Sequence, residues 1–294
     1  MIFFAAMPLF FNIILFFASI LCLGYILLIQ VYHKWFKKIH YKKPVPVNAY
    51  AAFSIIIPAR NEEDNIEACL HTIFKNEYPV DHYEVIVADD NSEDSTVEKV
   101  KALQPIYKNL QLAEIKNDPD RKLNAYKKKA IETAIAQSSF PWIVATDADC
   151  MVSNKWLSLY NIQIQNTQPV FIAAPVKYHH SGTFLSLFQC LDFISLQGIT
   201  AATVSAGFHS MCNGANLAYQ KEAYTKVGGF TSIDNIASGD DMLLMYKIQK
   251  EFPGKTAFLF HHHAAVTTYP AGTWKKFFNQ RFRWASKATH YDDK

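Results

Sequence analysis

In Arg60-Asn61-Glu62, Asp89-Asp90, Asp147-Ala148-Asp149 and Asp240-Asp241 the chain gathers acidic side chains, the first three groups directly after apolar runs. Hard carboxylate oxygens suit Mg2+ or Mn2+, and such sites use one or two carboxylates together with phosphate oxygens. A wall of carboxylates repels a phosphorylated ligand unless a divalent cation bridges the two. Asp147 and Asp149 are separated by one residue, so an extended backbone would turn both to one side. An Asp-x-Asp also occurs in solvated turns, but here it ends a run as apolar as Trp142 to Ala145. Asp240-Asp241 opens the helical pattern Met242, Leu243, Tyr246, and capping by Asp240 accounts for it as well as chemistry does. Gln280-Arg-Phe-Arg283-Trp284 joins a planar cation to aromatic rings. An arginine there can pair with phosphate and a tryptophan can stack on a sugar or base, although an amphipathic helix lying on a membrane would look the same. The chain has no Gly-x-Gly-x-x-Gly turn and no Walker-type loop, so no backbone cradle for a diphosphate is signalled. His261-His262-His263 invites a metal reading, but neighbours on a strand alternate sides, and the triplet is expected to be structural.

Alternating strands and helices must position these groups. Phe53 to Ile57 is a β-branched run stopped by Pro58, and Asn61 is placed to cap the helix carrying Ile66, Leu70 and Ile73. Strands are expected at Tyr83–Ala88, Gln111–Ile115 and Trp142–Thr146, with a helix over Asn124–Ala136. This alternation predicts an α/β domain with a mostly parallel sheet and helices on both faces. In open α/β sheets, ligands bind beyond the carboxyl ends of the strands, where the acidic groups fall. Phe184 to Ile199 is apolar but interrupted by Gln189, Asp192 and Gln197, which predicts a core or interfacial helix rather than a span.

Of the 294 residues half are hydrophobic, and the excess lies at the start. Met1 to Tyr32 carries no charged side chain, and Leu9 to Ile29 is long enough to cross the bilayer as a helix. A signal peptide would have a basic start, a shorter apolar stretch and a small-x-small cleavage site. A buried core helix rarely stays apolar on every side for this length. Residues 1–32 are therefore expected to be a membrane anchor, 33–50 a basic linker and 51–294 the catalytic domain. Lys34, Lys37, Lys38, Lys42 and Lys43 follow the span and place the domain in the cytoplasm, against anionic membrane lipids. Pro44 and Pro46 stiffen the linker. A net charge of +3 is too small for a nucleic-acid footprint, and the five scattered cysteines read as reduced thiols without a zinc site.

Taken in order, Ser-Ile-Ile-Ile-Pro-Ala-Arg-Asn-Glu-Glu, Val-Ala-Asp-Asp-Asn-Ser-Glu-Asp-Ser-Thr, Asp-Ala-Asp, Asn-Gly-Ala-Asn-Leu, Gly-Asp-Asp-Met-Leu-Leu and Gln-Arg-Phe-Arg-Trp resemble the inverting family 2 glycosyltransferases. These have the GT-A fold and include cellulose, chitin and hyaluronan synthases. The resemblance runs from about Phe53 to Trp284. It implies transfer of a sugar from a nucleotide-sugar donor to a lipid-linked or glycan acceptor. Arg60 falls in the first donor motif, Asp89 and Asp90 would contact the donor's nucleoside, and Glu62 would shape that pocket. Lys127, first of three consecutive lysines, stands where the family often has a lysine near the diphosphate. Asp149 would ligate the metal and Asp147 would hold the donor and share the metal. Asn213, Gly214 and Asn216 would line the floor under the transferred sugar. Asp241 would be the general base, with Asp240 replacing the usual Glu before it. Gln280, Arg283 and Trp284 would close over the diphosphate and acceptor. Family members with this last motif usually continue into further membrane helices, so the end at Lys294 implies either a truncated chain or addition of single sugars. Two rivals remain: a metal-dependent nucleotidyltransferase, and a non-catalytic membrane scaffold that kept the fold. The first would leave Asp241 and the Gln280–Trp284 stretch without a role, and the second should have lost a carboxylate.

Overall fold

The computed structural model describes residues 2–39, 49–115, 126–208, 211–231 and 240–285. Residues 40–48 of the expected linker, the helix start at Asn124, the glycine before Asp240-Asp241 and everything after Ala285 lie outside those residues. Helix α1 (Ile2–Phe36) comes first. Its stretch from Phe10 to Phe36 contains an 18-residue window of mean hydropathy 2.5, none of it buried inside the protein, and is long and apolar enough to cross a membrane.

The domain then alternates as expected through β1 (Phe53–Ala59), α2 (Ile66–Phe74), β2 (Tyr83–Asp89), α3 (Thr96–Leu103), β3 (Leu110–Glu114), α4 (Tyr126–Gln137) and β4 (Trp142–Ala145). It continues with α5 (Trp156–Thr167), β5 (Phe171–Ala173), β6 (Val176–Tyr178), α6 (Phe184–Ala206), β7 (Leu217–Gln220) and α7 (Lys221–Lys226). The last elements are α8 (Asp240–Glu251), β8 (Thr256–Phe258), β9 (Val266–Thr268) and α9 (Trp274–Ala285). Seven strands form one sheet in the order β3-β2-β1-β4-β7-β5-β8, where β7 alone runs against its neighbours; β6 and β9 pair separately. Ile55, Val85 and Val144 face α2, α3 and α5 through Leu70, Val100 and Trp156, while Ile56, Ile86 and Ile143 face α4 and α8 through Ala134 and Ile248. Burial on both faces explains why these strands read as continuous apolar runs.

Register decides where the polar groups emerge. Ala59 lies opposite Asp89, so Arg60 and Asp90 leave the sheet side by side. β4 ends earlier, with Ala145 opposite Ile56, which sets Asp147 into a notch beside the longer β1. Asn61 does not cap α2. It sits in the left-handed region at φ 55°, where its Oδ1 accepts from Glu93 N at 2.8 Å, and α2 starts only after Asn65. Asparagine tolerates that conformation better than most residues, so the chain can turn sharply there before entering the helix.

The expected apolar segment is the long helix α6, whose polarity is inverted. Gln189 is fully buried and Gln197 accepts from Val176 N, whereas Phe184, Leu187, Phe188, Leu191 and Ile194 are exposed along one stripe. A surface helix in water shows the opposite arrangement. The histidine triplet is not on a strand: His262–Ala264 is a single 3-10 turn, and His261, His262 and His263 stack with centroids 3.9–5.6 Å apart.

At the amino ends of the strands Glu84 ties the sheet together. Its carboxylate accepts from Ser54 Oγ at 2.6 Å, Ser139 N at 2.5 Å and Gln111 Nε2 at 2.8 Å, joining β1, β2, β3 and the turn into β4. Removing it strands buried donors, each costing about 1–3 kcal/mol. Glu84→Ala is expected to lose about 3 kcal/mol or more in urea unfolding. Unchanged stability would show the network to be incidental.

Candidate active site

Two loops at the carboxyl edge are laced together by side chains accepting from backbone N–H groups. Asn61 N donates to Ser92 Oγ (3.0 Å), Glu62 N to Thr96 Oγ1 (2.8 Å), Glu63 N to Asp94 Oδ2 (3.1 Å) and Ser95 N to Glu63 Oε2 (3.0 Å). The lacing holds Arg60 beside the buried Asp90, with Nη1 3.8 Å from Oδ2. Asp89 is also buried; its Oδ2 accepts from Ser92 N at 3.2 Å, while Oδ1 has no partner among the described residues. A buried carboxylate oxygen left over in this way calls for a donor from outside. Beside it opens a hollow of about 600 Å³ bordered by Arg60, Asp89, Asn91, Glu98, Lys101 and Glu114.

Asp147 and Asp149 converge, though not by strand alternation. β4 has already ended, and a turn closed by Cys150 N donating to Asp147 O (3.1 Å) folds the two carboxylates together. One ligand atom each from Asp147, Asp149 and Cys150 lies within 4.8 Å of the others. Burial pushes the Cys150 thiol well up, followed in effect by the charges of Asp147 and Asp149, so the carboxylates are the available hard donors. Two carboxylates with room for other oxygens fit Mg2+ or Mn2+. Lys127 Nζ lies 2.7 Å from Asp147 Oδ1. Asp149 accepts from Thr268 Oγ1 at 3.1 Å and from the Cys150 thiol at 3.4 Å. Glu62 belongs to the same electrostatic group. Its carboxyl is raised above the ordinary range by burial first and then by Asp149 and Asp147, against the lowering effect of Asn65.

Thr268 went unnoticed in the sequence, where Val-Thr-Thr-Tyr is only a short β-prone stretch. It arrives because Met151 and Thr267 exchange backbone hydrogen bonds of 2.8 Å, which sets β9 beside the acidic turn. Thr268 also pairs with Tyr178 across β6 and β9, and Tyr178 OH donates to Gln280 Oε1 at 3.3 Å. Gln280 is thus connected to the neighbourhood of Asp149.

Asp241 stands in the first turn of α8. Its Oδ2 accepts from Gly214 N at 2.7 Å and its Oδ1 from Met242 N at 3.0 Å, which fixes the carboxylate against the Asn213–Asn216 turn. Asn213 Oδ1 tightens that turn by accepting from Ala215 N at 3.0 Å. Asp240 begins α8, and its side chain lies outside the described set. Arg283 is exposed on α9, whereas the Trp284 ring is partly buried against Phe193 and covered by Arg281. In this arrangement Trp284 helps anchor α9, with Phe193 beside its ring and the Arg281 guanidinium over it.

Asn216 does not line a pocket floor. It is fully buried, with Oδ1 accepting from Trp156 Nε1 (3.0 Å) and Tyr160 OH (2.8 Å) and Nδ2 donating to Pro175 O (2.6 Å) and Ala264 O (2.8 Å). All its bonding capacity is used inside the protein.

Residues 51–287 match the profile of the Glycosyltransferase like family 2. The chain belongs to that family. It is 28% identical over 191 residues to glycosyltransferase AglE of Haloferax volcanii, covering 64% of this chain and 58% of that one. It is 25% identical over 287 residues to a poly-beta-1,6-N-acetyl-D-glucosamine synthase of Staphylococcus aureus, covering 94% of this chain and 65% of the relative. The chain therefore spans only 58–65% of the length of these curated relatives. Among solved structures, the mannosyltransferase PcManGT of Pyrobaculum calidifontis, in complex with GDP-Man and Mn2+, superposes with a TM-score of 0.70 at 21% identity, covering 91% of this chain and 72% of that one. TarS of S. aureus with UDP-GlcNAc superposes with a TM-score of 0.55 at 17% identity, covering 83% and 68%. These likenesses establish the GT-A type fold, a mixed α/β domain with a mostly parallel sheet. Family membership sets aside the nucleotidyltransferase alternative.

The Asn216 assignment has a direct test. Asn216→Ala leaves Trp156 Nε1 and Tyr160 OH without their buried acceptor, and about 3 kcal/mol or more should disappear from the unfolding free energy. A residue that merely lined the pocket would instead leave urea unfolding unchanged and alter ligand affinity.

Proposed function

We propose that this chain transfers a sugar from a nucleoside diphosphate to an acceptor hydroxyl, with inversion, at the cytoplasmic face of a membrane. The observation that carries this reading is the folded pair Asp147–Asp149, bordered by Glu62, Lys127 and Thr268, at the carboxyl end of β4. Asp149 and Asp147 would hold a divalent cation, as suits a fold whose relative PcManGT carries GDP-Man and Mn2+. Such a cation, when bound, offsets charge developing on the departing nucleoside diphosphate. Lys127 adds a second positive charge near that phosphate. The hollow beside Asp89, Asp90 and Arg60 is the place for the nucleoside, where the spare Asp89 oxygen can accept from a base N–H. Asp241 accepts the acceptor's hydroxyl proton as that oxygen bonds to the anomeric carbon and the carbon–phosphate-oxygen bond breaks opposite it. One displacement of this kind inverts the centre. Asn213 and Gly214 orient Asp241 beneath the sugar, and Gln280 and Arg283 approach from α9. Retention of each of these carboxylates speaks against a non-catalytic scaffold.

The outward faces of α6 and α9 support a lipid-linked or membrane-bound glycan acceptor. Phe184, Leu187, Phe188, Leu191 and Ile194 join Trp274, Phe278 and Phe282 through the Phe188–Trp274 contact at 5.6 Å. This surface continues from α1, where Trp35 stacks on Phe208 at 5.0 Å just past α6. Lys34, Lys37 and Lys38 follow the span and favour the cytoplasmic side.

Membranes containing the chain, supplied with GDP-mannose, UDP-N-acetylglucosamine and other nucleotide sugars, should release nucleoside diphosphate only with Mg2+ or Mn2+ present. Asp149→Ala should abolish that release and weaken donor binding. Full turnover in excess chelator would overturn the metal assignment. Asp241→Asn keeps shape but cannot take the proton, so kcat should fall about 10²–10⁴-fold while donor affinity stays within a few-fold. Loss of donor binding at unchanged turnover of the bound fraction would make Asp241 a donor ligand instead.

A further inference from the structure

The three polar interruptions of α6 share one inward side, and two of them hold the segment that carries the Gln-x-x-Arg-Trp stretch. Gln189 makes a reciprocal pair with Ala271, its Oε1 accepting from Ala271 N and its Nε2 donating to Ala271 O, both at 2.9 Å. Asp192 pairs with Arg281 through Oδ2 and Nη2. Gln197 serves β6 instead.

Arg281 is held on more than one side. Its guanidinium carbon lies 4.9 Å from the Phe277 ring centroid and 4.3 Å from that of Trp284, the residues one helical turn before and after it. Stacking of this kind is a property of a planar guanidinium, which a lysine does not reproduce. Arg281 Nε and Nη1 are buried without a partner among the described residues. A half-buried pair, screened by water on the Asp192 side and with two guanidinium donors left over, gains little stability. Its use is directional. One contact between two helices fixes rotation as well as distance, and each residue on α9 turns by a fixed step from the next.

We propose that Asp192 and Arg281 are positioning residues for sugar transfer. Their ion pair sets the rotation of α9 on α6, so that Gln280 meets Tyr178 and Arg283, three residues further along the same stripe, is presented to the donor diphosphate. The inference rests on the reading that α9 closes over that diphosphate. It assigns the closing geometry to a pair that touches neither donor nor acceptor.

The test uses UDP and GDP, each with Mn2+, titrated calorimetrically into the full chain in detergent, with UMP and GMP as controls that reach the nucleoside hollow but lack the second phosphate. Asp192→Asn and Arg281→Lys should each weaken binding of the diphosphate that the parent chain takes by about tenfold, with monophosphate binding and the thermal midpoint unchanged. Asp192→Glu, which keeps the charge, should restore most of the loss. The double variant should bind no worse than either single one, because both remove the same contact. Unchanged diphosphate binding in Asp192→Asn, an equal loss for monophosphates, or a loss accounted for by a lower thermal midpoint would overturn the proposal. Arg283→Ala separates the two levels. If it weakens diphosphate binding while Asp192→Asn does not, the positioning pair is wrong and the donor reading stands; if neither does, or the parent binds no diphosphate, both fall.

Discussion

Concentrated negative charge at one edge of a sheet buried on both faces is the constraint around which this domain is arranged. Asp89 and Asp90 are buried, and Glu62, Asp147 and Asp149 are half-buried and near enough to raise the Glu62 carboxyl. Carboxylates so placed repel one another through a medium less polar than water. Their tolerable cost depends on Lys127, on Arg60, on the hydroxyl of Thr268 and on backbone N–H groups of the interlaced loops. The remaining deficit of positive charge is what a cation bridging to a phosphorylated ligand would offset, as the proposed function requires.

The shape of the edge follows from strand length. β1 and β2 end level, whereas β4 stops opposite Ile56 and continues as a turn. The hollow beside Asp89 therefore opens next to the long strands, and the Asp147–Asp149 turn drops below them. β7, the strand that opposes its neighbours, is entered from the Asn213–Asn216 turn at the same edge, which brings Gly214 N to Asp241. Opposite strand directions thus bring the turn that holds Asp241 to the same sheet edge as Asp147 and Asp149.

Much of this architecture is legible in the sequence because it depends on local pattern. Strands buried on both faces must be apolar runs, and carboxylates at their ends need polar partners or a ligand. What escaped depends on contacts that no local pattern carries. Asn216 sits in a motif that suggested a pocket, yet its partners Trp156 and Tyr160 are 56–60 residues away. Asn61 looked like a cap because the left-handed backbone that disqualifies it has no one-letter signature. Asp147 and Asp149 were expected to converge by alternation along a strand and instead converge through a turn. Arg281, embedded in a recognisable motif, drew no notice until Asp192 appeared opposite it.

The bond from Thr268 to Asp149 spans 119 residues. Synthesis proceeds from the amino end at about 5–20 residues per second, and a domain generally folds as a unit. The residues of the acidic turn are therefore synthesised well before those of β9 that hold Asp149. During that interval the carboxylates stand in water, where they repel weakly and bind little. Closing so long a loop is slow in proportion to the entropy it surrenders. The hydroxyl that holds Asp149 therefore becomes available only once the chain has grown 119 residues beyond it.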